Sequence, residues 1–187
     1  MKMHLGAALL SLALVLPLAG CGDAAEAETD PVDATAEAGP SRLYATLGEI
    51  EEVSTAHDLI KSAGLDTTFV GVGAYTLFLP SNDAFAALPD EDLARLKSEE
   101  GRPELIAILR RHIAVGAITR GDLDNAIEGN GGSIQLASVA DTPIEIREID
   151  GRVLLGAGDD APQLTDRAQA ASNGVVYVID GLIAPEG

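Results

Sequence analysis

The sequence predicts an α+β domain built on an antiparallel sheet, and three observations carry that expectation. Apolar residues at helical spacing crowd residues 43–112. Beyond Asn130 the chain turns to alternating and β-branched stretches. Asp150-Gly151 stands between two apolar runs, which is the residue pair of a tight hairpin turn. Helices followed by strands, with no internal repeat, argue against repeating βαβ units.

The elements follow in chain order. Leu43, Leu47 and Ile50 share helical spacing, so a short helix opens at Ser41 or Thr46. "STAHDLIKSAGL" is a second helix, with Ser54 as its N-cap, Leu59 and Ile60 on the apolar face and Gly64 as the terminating glycine. "AYTLFLP" is a strand closed by Pro80. Three helices come next: one after Ser81, one from Asp90 to about Lys97 with Leu93 and Leu96 inward, and one starting at Pro103 and running to about His112. Asn130-Gly131-Gly132 marks a turn before the alternating "SIQLA". "IEIREIDGRVLL" is the hairpin, with Ile144 and Ile146 on one face. "GVVYVIDG" is a buried strand ending in a turn.

The chain has 187 residues, 47% of them hydrophobic, enough for one domain with its own core. Twelve basic residues face 30 acidic ones, a net charge of −18. That balance excludes nucleic-acid binding, which needs a basic footprint, and excludes a polybasic membrane patch. It accounts for solubility without requiring a site. A single cysteine rules out an intramolecular disulfide framework.

That cysteine ends a leader. Lys2 precedes an apolar run from Leu5 to Leu18, shorter than the roughly 20 residues a permanent span requires. The run closes in Leu18-Ala19-Gly20-Cys21, which resembles a bacterial lipobox. The resemblance implies a signal peptide over 1–20, lipidation of Cys21 and attachment to the cell envelope from outside the cytoplasm. Gly22 rather than Asp follows the cysteine, which favours the outer membrane in cells that have one. Residues 22–41, "GDAAEAETDPVDATAEAGPS", lack large apolar side chains. They cannot offset their own ordering entropy, so 21–42 is expected to be a flexible acidic tether and 43–187 the domain.

Candidate chemistry is sparse. Pro80-Ser81-Asn82-Asp83 has the composition of a helix cap, with Asp83 beside the positive end of the helix dipole, and no nucleophile elbow surrounds Ser81. A hydrolase using Ser81 and His112 is one alternative. Yet His112 shares a stripe with Leu105, Ile108 and Leu109, where a buried neutral imidazole is expected. His57 and His112 are too few and too far apart for a transition-metal site. Asp159-Asp160, with Asp166, offers oxygen ligands but no EF-hand spacing, and reads as a solvated loop. Three Tyr, three Phe and no Trp supply little for stacking sugars. Gly71 and Gly73 do not make a phosphate loop. No metal and no cofactor is expected.

"TLFLPSNDAF", "RRHIAVG" and "NGVVYVIDGLIAP" occur in the order and spacing of a fasciclin (FAS1) domain, and the chain resembles that family from about Ala45 to Pro185. The resemblance implies a twisted β-sandwich or wedge with several helices packed along it. Its signature positions here are Ser81, Asn82, Asp83, Phe85, His112, Asn173, Gly174 and Asp180. It further implies a non-enzymatic adhesion or protein-interaction module with a protein or matrix partner. A carrier of a small ligand or polymer is the alternative from a different class. Two positions depart from the family pattern. Arg111 precedes His112 where Tyr is usual, a pair linked to integrin-type adhesion in animal members. Tyr177 stands where His is common.

Overall fold

The structure, a computed structural model, describes Gly39 and residues 41–184 except Asp159. The leader, Cys21, almost all of the tether and Asp159 of the acidic pair lie outside the described residues. Six α-helices and seven strands are described, with two short 3-10 helices at Glu51–Val53 and Asp66–Val70: α1 Leu43–Leu47, α2 Ser54–Ala63, β1 Tyr75–Pro80, α3 Asn82–Ala86, α4 Asp90–Leu96, α5 Arg102–Arg111, β2 Ile113–Val115, α6 Arg120–Gly129, β3 Ser133–Leu136, β4 Ile144–Ile149, β5 Arg152–Leu155, β6 Leu164–Ala171 and β7 Gly174–Ile179. Among the described residues no helix is long and apolar enough to cross a membrane.

Two sheets form, in the orders β2-β1-β7-β6 and β3-β4-β5. The smaller is antiparallel throughout. The larger corrects the expectation of an antiparallel sheet, because its two central strands, β1 and β7, run parallel in register from Tyr75↔Gly174 to Pro80↔Ile179. The physical reason is burial on both faces. "YTLFLP" and "GVVYVI" are near-continuous apolar runs, the composition of strands covered on each side.

Side-chain alternation along those two strands divides the core. Leu77, Leu79, Val176 and Val178 point into one cluster with Leu43 and Leu47 of α1, Leu59 and Ile60 of α2, and Leu105 and Leu109 of α5. Phe78, Val175, Tyr177 and Ile179 point the other way, into a second cluster with Leu123 and Ile127 of α6, Ile144 and Ile146 of β4 and Leu155 of β5. The molecule is thus helices, then the four-stranded sheet, then the three-stranded sheet with α6. Backbone bonds stitch the sheets at both sides: Val115 N–H to the Ala137 carbonyl (2.8 Å), and Leu155 N–H to that of Pro162 (2.9 Å).

Local expectations hold at several points. Gly64 ends α2 with φ 76°, and Asp150 (φ 53°) and Gly151 (φ 75°) make the β4–β5 turn. Ile144 and Ile146 are buried on one face. Leu96 is buried and Leu93 half-buried. Pro103 falls inside the first turn of α5, one residue after Arg102 begins it.

Three elements were not foreseen. α6 has a signal in the sequence: Thr119 and Asp122 form a reciprocal capping box, and Leu123 and Ile127 follow at i, i+4. The carboxylate of Asp122 is held below its usual range chiefly by the Thr119 hydroxyl, which donates at 2.7 Å, and also by the Thr119 N–H. β2 is only three residues long. β6, "LTDRAQAA", has no alternation and a single β-branched residue, Thr165. It is a strand because β7 offers it an open edge.

Candidate functional site

Ser81, Asn82, Asp83 and Phe85 lie where β1 hands over to α3. The Ser81 hydroxyl caps that helix, accepting from Ala84 N–H at 3.1 Å, and Ser81 N–H donates to the Ile179 carbonyl at 2.9 Å. Asp83 is exposed in the first turn, and Phe85 is buried in the helical cluster. The sequence reading of a local cap therefore holds for Ser81.

For Asn82 it needs correction, and so does the assignment of Ser54 as a cap. The Ser54 side chain caps nothing; Val53 occupies the cap position of α2 and makes no side-chain cap bond. Instead the Asn82 Oδ1 accepts from Thr55 N–H at 2.9 Å, while its Nδ2 donates to the Glu51 carbonyl at 2.8 Å. One side chain from α3 thus satisfies the open start of α2. Such a cross-cap cannot be read from local spacing, because donor and acceptor are 27 residues apart. Asn82→Ala is expected to destabilise the protein by about 1–2 kcal/mol in a denaturant titration. Amide exchange should rise first at Thr55, in α2 rather than in α3.

At the opposite end of the same sheet, Ser172 and Asn173 form the β6–β7 turn and Gly174 begins β7. Asn173 Oδ1 accepts from Leu43 N–H (2.8 Å), fixing the start of α1. Its Nδ2 donates to the Phe69 carbonyl (3.0 Å), holding the loop before β1. Gly174 lies against β1 so closely that a Cβ there would sit 2.0 Å from the Tyr75 carbonyl oxygen. Asp180 closes the other end of β7: its Oδ1 accepts from Gln163 N–H at 2.6 Å, and its own N–H donates to the Gln163 carbonyl at 3.1 Å.

His112 sits just past α5, as its C-cap, with 1% of its surface exposed. Nδ1 donates to the Ile108 carbonyl at 2.8 Å, and Nε2 accepts from Ile183 N–H at 2.9 Å. Donation at one nitrogen and acceptance at the other require the neutral ring. Burial, with a smaller contribution from the Arg111 charge, pushes the imidazole down to about 4, against the upward pull of the Ile108 carbonyl. Both nitrogens are committed to backbone, so neither is left to take a proton from Ser81. The Ser81/His112 hydrolase fails on that point.

The signature residues are therefore not gathered into one cleft. They are spread over both ends of the four-stranded sheet and the end of α5; Ser81, Asn82, His112, Asn173 and Asp180 spend side-chain polar atoms on backbone partners, while Asp83 is exposed and Phe85 is buried in the helical cluster. Tyr177, at the position where the family often has His, is likewise structural: its ring stacks on Phe78 (centroids 5.5 Å apart) and its hydroxyl donates to the Ile118 carbonyl at 3.0 Å. Among the described residues no group of three His, Cys, Asp or Glu side chains is placed to hold a metal ion.

Two clefts on the described surface bear on the carrier alternative. One of about 90 Å³ is lined by Glu52, Arg167 and Gln169 among others. A larger one of about 280 Å³ opens between the end of α5 and residues 139–142. Neither is the enclosed apolar cavity that a carrier of small apolar molecules requires. Arg110 and Arg111 line the second, a feature visible in the sequence only as a basic end to a helix.

Comparison with known proteins agrees with this architecture. A model of the fasciclin domain matches residues 51–185. Protein sll1483 of Synechocystis is 31% identical over 182 residues, covering 95% of this chain and 93% of that protein. The transforming growth factor-beta-induced protein ig-h3 of Sus scrofa is 31% identical over 140 residues, 74% of this chain but only 19% of that protein. Human Stabilin-1 is 31% identical over 144 residues, which is 5% of its length. The chain thus spans one small portion of these animal relatives. A solved FAS1 domain pair from the insect cell adhesion molecule Fasciclin I superposes with a TM-score of 0.68 at 19% identity, covering 79% of this chain and 52% of that one. Fasciclin domains are in general adhesion and protein-interaction modules. With the family model spanning residues 51–185, most of the chain, this protein belongs to the fasciclin family.

Proposed function

We propose that the protein is a cell-envelope lipoprotein, anchored through lipid on Cys21 and displaying one fasciclin domain as a non-enzymatic binding module for a protein or matrix partner outside the cytoplasm. The observation that carries the binding half of this reading is the fate of the signature side chains. Ser81, Asn82, His112, Asn173 and Asp180 all hold backbone groups of the fold itself. No nucleophile–base pair remains among them, so recognition falls to the outer surface. The anchoring half rests on Leu18-Ala19-Gly20-Cys21 and the acidic, apolar-poor stretch that follows.

Cys21→Ala tests the anchor. The substituted protein is expected to leave the membrane fraction and to lose the added lipid mass on intact-mass measurement. A Cys21→Ala protein that stays membrane-bound with a lipid mass refutes the anchor. Surface crosslinking on intact cells tests the display, since a domain facing the cytoplasm would not react with an impermeant reagent.

A further inference from the structure

In a chain of net charge −18, most arginines are already engaged. Arg95, Arg120, Arg147 and Arg167 each face a carboxylate. Arg42 and Arg102 donate to backbone carbonyls. Arg110 and Arg111 do neither: among the described residues no carboxylate lies within 4.0 Å of either guanidinium. Both line the 280 Å³ cleft. Arg111 Nε is buried and has no acceptor among the described residues, which leaves a charged donor facing a desolvation cost that they do not offset.

The opposite wall of the cleft is stiff. Val139 N–H is held by the Ile113 carbonyl (2.9 Å), Ala140 N–H donates to the Ser138 hydroxyl (3.0 Å), and that hydroxyl bonds the Thr142 carbonyl (2.5 Å). A ligand entering here would not have to order the loop. Ala107 and Val139 add apolar surface beside the charges. Asp141 also lines the cleft and, with the acidity of the whole chain, works against a dianion or a polyanion more than against a single carboxylate.

We infer that the cleft between the end of α5 and residues 139–142 is a binding site for a carboxylate side chain on an acidic peptide segment of a partner, held by Arg110 and Arg111. The assignment rests on the binding-module reading and names the chemistry that module recognises. A guanidinium offers paired N–H donors in one plane, the geometry that a carboxylate accepts. The volume admits one such side chain with its flanking backbone rather than a long polyanion.

Arginine Nε–H groups give their own correlations in a nitrogen-edited NMR spectrum, so the site reports on itself. The detergent-solubilised full protein is titrated with the blocked tripeptide Gly-Glu-Gly, its Gly-Gln-Gly counterpart and inorganic phosphate. The Glu peptide is expected to move the Arg111 Nε–H signal saturably and downfield, with an affinity that falls as salt is added. The Gln peptide should bind about tenfold more weakly or worse. Arg110→Gln with Arg111→Gln should abolish the effect, while Arg152→Gln, at an exposed position on β5, should leave it intact. Arg111→Lys keeps the charge but loses the planar fork, and should weaken binding with an unchanged backbone amide spectrum. The inference is overturned by no saturable shift, by equal response to the Gln peptide, by indifference to the Arg110 and Arg111 substitutions, or by a response to phosphate alone. None of these outcomes bears on whether another surface of the domain binds a partner, so the binding-module reading and this site fail separately.

Discussion

Gly174→Ala is expected to cost about 3 kcal/mol or more and to lower the melting temperature by about 10 °C, with Gly174→Val preventing folding. The new Cβ would lie 2.0 Å from the Tyr75 carbonyl oxygen and 3.2 Å from the Leu43 side chain. Neither neighbour can retreat cheaply. Tyr75 is the first residue of the parallel β1–β7 pairing, and Leu43 is buried where α1 begins. The φ of Gly174 is not in the left-handed region, so the penalty is one of space and not of backbone conformation. Gly121→Ala provides the contrast. That glycine lies in the first turn of α6 with nothing within 4 Å of the added carbon, and the substitution should be neutral or stabilising by up to about 1 kcal/mol. Thermal unfolding of the two alanine variants side by side checks the argument. Equal stability would mean that β1 does not approach β7 as closely as described.

Acid sensitivity centred on His112 is the second large effect. The ring titrates at about 4 in the folded protein and near its ordinary 6.5 in the unfolded chain. Between those values the unfolded state binds more protons, so stability rises with pH across the window. The His112 contribution is complete above about pH 6.5 and is lost as pH falls toward about 4, amounting to roughly 3 kcal/mol across the interval. Structurally, a proton on Nε2 turns the acceptor of Ile183 N–H into a second donor, and the segment after β7 loses its hold on α5. Protonating surface carboxylates acts in the opposite direction by relieving self-repulsion in an acidic chain. Comparing wild type with His112→Leu removes that common background. The wild-type protein should lose stability more steeply between about pH 6.5 and about pH 4 than the variant, although the variant is less stable at neutral pH. Parallel pH dependences in the two proteins would place the acid sensitivity elsewhere.

How much of this was legible in the sequence depends on how far apart the interacting groups lie. Ser81 could be read as a cap because its acceptor meets Ala84 three residues on. Gly64 and the Asp150-Gly151 turn were legible for the same reason: their backbone conformations serve only their neighbours. The burial of His112 followed from its place on the stripe of Leu105 and Leu109, but the bond to Ile183, 71 residues away, did not. Asn82 shows the limit most plainly. Its composition suggested a cap and it is one, but for α2 and not for its own helix. The cleft of Arg110 and Arg111 had no local signal beyond two basic residues in a last helical turn, which the helix dipole alone would explain.

The sequence by itself determined the first five helices, the hairpin, the two central strands and the family, because periodicity, turn residues and two long signature stretches are local properties of the chain. Only the tertiary structure decided that β1 and β7 run parallel at the centre, that the Ala-rich stretch at 164–171 becomes the strand β6, and that one asparagine caps a helix 27 residues away. The reason is the same in each case. A strand direction, an edge to pair with and a distant unsatisfied amide exist only once the two hydrophobic clusters have drawn the elements onto opposite faces of one sheet.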